Sequence, residues 1–156
     1  METHTGHTGH HGHGGGGWRG AAQATLHCLT GCAIGEVLGM VIGTAAGLHN
    51  GATVALSIVL AFAFGYALTM RGVRRGGLPV AQALKVALAA DTVSIAVMEL
   101  IDNTVVVGIP GAMDAGLADA LFWGALVASL ALAFLVTTPV NHWLIARGRG
   151  HAVIHA

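Results

Sequence analysis

The chain has 156 residues, 54% hydrophobic and only 9% charged, against roughly 25% charged in soluble domains. With a mean hydropathy of +0.73 it reads as an all-α polytopic membrane protein of four transmembrane helices, not a soluble domain. Seven Lys and Arg balance seven Asp and Glu, so there is no basic surface of the kind nucleic-acid phosphates require, and nucleic acid is excluded as a partner.

Met1 to Gly20 spaces His4, His7, His10, His11 and His13 with Gly and Thr. That composition cannot bury a core, so residues 1–20 are expected to form a disordered cytoplasmic tail, with 21–156 as the membrane domain. The five imidazoles can capture a metal loosely, and a plain solvated tail is the alternative. No basic n-region followed by a short apolar h-region opens the chain, so the first span is expected to direct insertion itself.

The first span, from about Ala21 to Leu48, repeats Gly31, Gly35, Gly39 and Gly43 at every fourth position. Such a stripe lets another helix approach closely, and it suggests a homo-oligomer. Beside it Cys28, Cys32, Glu36 and Met40 share a row at four-residue spacing, and His27 precedes them. Thiolate, imidazole and thioether are what copper(I) prefers, and zinc or another divalent ion accepts the first two with a carboxylate. Taken singly, each Cys is as well explained as a small buried hydrophobe and Met40 as packing. A disulfide between two cysteines four apart on one helix is geometrically awkward.

Leu48 to Gly51 carries the turn signal Asn-Gly. The second span, Ala52 to Met70, has no charge, and the connector after it holds Arg71, Arg74 and Arg75 before Pro79 opens the next helix. The third span, about Leu84 to Val107, contains Asp91, Glu99 and Asp102. At about 100° per residue, Asp91, Ser94, Met98 and Asp102 fall on one stripe with Glu99 at its edge. Each ionised carboxylate costs roughly 2.5–3.5 kcal/mol at mid-helix on insertion scales, so the stripe is expected to meet water, a proton, a metal or a partner.

Ile109 to Asp119 breaks the helix as a loop or a short re-entrant turn, with Asp119 expected to cap the next helix. The fourth span, about Ala120 to Ala146, has Phe122 and Trp123 at one end, Trp143 at the other, and a kinking Pro139. Lys and Arg fall before span one, between spans two and three, and after span four. The positive-inside rule therefore puts both termini in the cytoplasm, soft ligands toward that side and Glu99, Asp102, Asp114 and Asp119 toward the other.

The stretches HCLTGCAIGEVLGMVIGT, FGYALTM, ALAADTVSIAVMELIDN, IPGAMDAGLADALFWG and PVNHWLIARGRGHAV resemble a bacterial membrane family catalogued as domain of unknown function 4396, from about His27 to His155. The resemblance implies a compact multi-span helical domain in which these motifs belong together, and transfers no activity; the expected location is a bacterial inner membrane. In size, His-rich terminus and glycine-spaced helix the chain also resembles eukaryotic-type copper transporters. It departs from them in having no MxxxM pair, four spans where they have three, and a dominance of carboxylates.

The function expected is binding and transport of a metal cation, copper first, with His27, Cys28, Cys32, Glu36, Met40, Asp91, Met98, Glu99 and Asp102 as candidate ligands. A proton or alkali-cation pathway through the carboxylates is the alternative, and a non-transporting assembly subunit is a third. Catalysis has the least support: His27 and Cys28 point about 100° apart on a helix, and no hydrolase or oxidoreductase signature is present.

Overall fold

The computed structural model describes residues 16–75, 77 and 79–147. Four long helices, α1 (Gly16–Ala45), α2 (Asn50–Arg75), α3 (Val80–Gly108) and α4 (Ala120–Ala146), run up and down in one bundle, with a 3-10 turn at Ala112–Asp114 before the last. By length and hydropathy, Gly17–Ala45, Asn50–Gly72 and Ala120–Ala146 can each cross a membrane. The 29-residue α3 packs between α2 and α4 and carries the three acids.

The glycine stripe of α1 meets a stripe of small residues on α2, in antiparallel register. Gly31 faces Gly65, Gly35 faces Ala61, Gly39 faces Ser57 and Gly43 faces Thr53. A β-carbon at Gly31 would stand 2.7 Å from the Gly65 nitrogen, and one at Gly35, Gly39 or Gly43 would overlap α2 outright. Helices in lipid gain little from hydrophobicity against each other, so this backbone-to-backbone contact supplies the attraction through dispersion. The stripe is therefore occupied within the chain, and a second copy would have to dock elsewhere.

On its other side α2 meets α3, where Ile95 fills the space over Gly65 and Tyr66 hydrogen-bonds Thr92 at 2.9 Å. A line of side chains ties α3 to α4 and α4 to α1: Ser94 Oγ donates to Asn141 Oδ1, and Asn141 Nδ2 donates to Thr25 Oγ1 at 2.9 Å. Thr25 in turn donates to the Ala21 carbonyl at 2.8 Å.

Three local expectations are corrected. Residues 16–20, assigned to the tail, begin α1, because Trp18 stacks on His142 of α4 with ring centroids 4.0 Å apart. The first turn falls at Gly47, not at Asn-Gly. Gly47 takes φ 64°, Leu48 N bonds Gly43 O at 2.9 Å and Gly47 N bonds Thr44 O at 3.2 Å, the Schellman closure of a helix end. Asn50 then opens α2, with His49 Nδ1 accepting from Ala52 N at 3.3 Å. Asp119 precedes α4 without capping it; its carboxylate accepts from Gly116 N at 2.7 Å and closes the preceding loop.

Replacing Gly35 by Leu drives side-chain atoms into the Ala61 backbone, and overpacking of this kind costs about 1–3 kcal/mol. Thermal unfolding in detergent should show a clear drop for Gly35→Leu and none for Gly124→Ala, where a β-carbon meets open space. Asn141→Ala, which removes the buried hydrogen bonds joining Ser94 of α3 and Thr25 of α1 to α4, should lower stability by about 1–2 kcal/mol in the same assay.

Candidate functional site

The acids of α3 all turn inward: Asp91 is 0% exposed, Glu99 6% and Asp102 4%. Two facing stripes receive them. From α1 come Thr25, Cys28 and Cys32, and from α4 come Ser129, Thr137 and Asn141, all buried. Ser129, Ala133, Thr137 and Asn141 stand four apart on a helix that is otherwise almost wholly apolar, so the same period that marks the glycine stripe could have marked this one. Thr25, Ser129 and Thr137 do not stand out in the sequence, because a lone hydroxyl in a span is unremarkable until its neighbours are known.

The row expected on α1 divides into two places. Toward the α1 N-terminus, Cys28 Sγ donates to Asp91 Oδ1 at 3.5 Å, and one turn on Cys32 Sγ donates to Met98 Sδ at 3.9 Å. Cys32 also lies beside the Glu99 carboxylate. Both cysteines are free thiols. Glu36 and Met40 instead line a cavity of about 290 Å3 at the opposite end, together with Glu99, Asp102, Asn103 and Ser57. His27 joins neither group; its Nε2 is buried with no hydrogen-bond partner among the described residues. The tail histidines His4, His7, His10, His11 and His13 lie outside the described residues.

The cavity is many times the ~10–15 Å3 a single water needs. Its rim is the exposed turn between α1 and α2 and the 3-10 segment, where Asn50 Nδ2 donates to Asp114 Oδ1 at 2.9 Å. Its floor is Glu99 and Asp102. Glu99 Oε2 accepts from Asn103 Nδ2 at 3.4 Å, and Ser129 faces Asp102. Glu99 Oε1 and Asp102 Oδ1 are buried with no hydrogen-bond partner among the described residues. The described cations Arg19, Arg71, Arg74, Arg75, Lys85 and Arg147 are all exposed. Among the described residues, the acids thus have no buried Lys or Arg to balance them. A buried carboxylate oxygen left without donor or counter-charge is costly, so a proton or a cation from the cavity is the natural complement.

Among the described residues, no three His, Cys, Asp or Glu side chains are grouped as a metal would require. The nine expected ligands are therefore not one coordination sphere. Eight of them form a cavity floored by oxygens, followed inward by a sulfur pair and then a thiol–carboxylate pair, and His27 stands apart.

No curated protein and no solved structure matches the chain. The family described as Domain of unknown function (DUF4396) matches residues 17–150, which takes in all four helices, the cavity and the sulfur pair. The chain belongs to that family.

Proposed function

We propose that this protein binds a metal cation inside the membrane and passes it along the interior between α1, α3 and α4, with copper the leading candidate. The observation that carries the reading is the pair of unpartnered carboxylate oxygens, on Glu99 and Asp102, at the floor of a cavity large enough for a cation with water around it. Acids at the mouth and floor attract a cation, and the soft donors Cys28, Cys32 and Met98 lie deeper, where copper(I) is better held than a hard ion. On this reading α3 is a fourth span, because its polar stripe is turned inward and its outer face offers Val93, Leu100 and Val107 to lipid. Both termini then lie in the cytoplasm of a bacterial inner membrane, and the cavity opens on the opposite side. A homo-oligomer would assemble through faces other than the glycine stripe.

A proton or alkali-cation pathway is the second reading. It is favoured by the absence, among the described residues, of a three-ligand group of His, Cys, Asp or Glu. Carboxylates alone would then do the work.

Flux into proteoliposomes separates the two. For copper, Glu99→Gln and Asp102→Asn should each lower uptake by about 10-fold or more, in line with the roughly 10–100-fold losses seen when a metal's ligand shell is disturbed, and Cys32→Ser should lower it too. Loss of proton or sodium flux in the two acid variants, with Cys28→Ser and Cys32→Ser unchanged, would support the second reading. Wild-type protein with no flux of copper, protons or alkali ions would overturn both.

A further inference from the structure

The sulfur pair in mid-bundle has a geometry of its own. Cys32 Sγ and Met98 Sδ are 3.9 Å apart, and both side chains are at most 1% exposed. Two sulfurs bound to one metal at ~2.3 Å are separated by about 3.8–4.0 Å when the site is tetrahedral or trigonal. The pair is already at the spacing of one edge of such a site, on two different helices, with no rearrangement of backbone needed. Beside it stands Glu99, 94% buried by its 6% exposure, near the Cys32 thiol and with Oε1 lacking a hydrogen-bond partner among the described residues.

We propose that Cys32 and Met98 form a binding site for a monovalent thiophilic metal ion, copper(I) or silver(I) in class, with Glu99 accepting the proton that the ion displaces. This deepens the cation reading above and rests on it for the ion's route of entry. On binding, the Cys32 S–H bond breaks, its electron pair forms the sulfur–metal bond, and the proton moves to the open oxygen of the ionised Glu99. Met98 gives a sulfur lone pair without any proton change. The metal stays at +1, so nothing is oxidised or reduced. Before the step a +1 ion stands near a −1 carboxylate; afterwards a neutral thiolate–metal unit stands near a neutral carboxyl. The total charge is unchanged at zero, which suits a low-dielectric interior where any net charge is expensive. A divalent ion would leave one positive charge over, so the site selects by charge as well as by softness.

The test uses the full-length chain in detergent, titrated anaerobically with copper(I) against a competing chelator and followed by X-ray absorption at the copper edge. The expected result is one copper per chain with sulfur neighbours. Cys32→Ser and Met98→Leu should each weaken that binding by about 10-fold or more, while Gly124→Ala, where an added β-carbon meets open space away from the site, should bind as wild type. In weakly buffered solution wild-type binding should release no proton, and Glu99→Gln should keep sulfur ligation but release one. If Cys32→Ser fails to fold, the volume-conserving Met98→Leu carries the test by itself.

Equal affinity in Cys32→Ser or Met98→Leu and wild type, or an absorption spectrum with only nitrogen and oxygen neighbours, would overturn the proposal. Copper uptake that persists in Cys32→Ser would remove the sulfur site and leave the acid-lined path standing. Sulfur-ligated binding in a protein without flux would do the reverse.

Discussion

Burial of three carboxylates on one face of a long helix is the constraint around which this bundle is arranged. Asp91, Glu99 and Asp102 cannot face lipid without a cost of roughly 2.5–3.5 kcal/mol each, so α3 turns them inward and the neighbouring helices must supply a polar surface there. Helix α1 answers with Thr25, Cys28 and Cys32, and α4 with Ser129, Thr137 and Asn141. The Ser94–Asn141–Thr25 chain of hydrogen bonds then holds the three helices in register. Partner groups meet Asp91 and part of Glu99, but the open oxygens of Glu99 and Asp102 at the cavity floor have none among the described residues. That incompleteness separates a site from a merely structural polar core, in which every member would be satisfied.

Helix α2 makes the arrangement possible by taking up the opposite side of α1. Its row of Thr53, Ser57, Ala61 and Gly65 fits against the four glycines, and the contact is close enough to fix both the rotation and the depth of α1. With that side occupied, Cys28 and Cys32 are aimed at α3 and have little freedom to turn away. The small residues and the soft donors lie four apart on adjacent faces of the same helix, so one packing contact positions the other group.

Much of this was legible in the residues. The number of long helices, the glycine stripe and the inward stripe of acids all follow from a period near 3.6 and the cost of charge in hydrocarbon, which are local properties. The division of the α1 row into a sulfur pair and a cavity wall was not legible. Cys28 through Met40 share a face, but which of them meets Met98 and which borders open space depends on the depth at which α3 packs, and no local pattern records that. The start of α1 at Gly16 was hidden for a similar reason: a glycine run has poor helix propensity, and it is Trp18 stacking on His142 across the bundle that holds it. Asn-Gly misled as a turn because Gly47, three residues earlier, already ended α1, leaving Asn50 free to open α2 and reach Asp114.

For the interior to carry a cation, Glu99 and Asp102 must turn their open oxygens toward it. Crystals of the protein soaked in a cadmium(II) salt and measured at a wavelength where cadmium scatters anomalously address that directly. The expected map has its strongest peak in the cavity, within bonding distance of both carboxylates. Peaks confined to the exterior, with Glu99 and Asp102 satisfied by backbone amides and hydroxyls in a closed bundle, would contradict it.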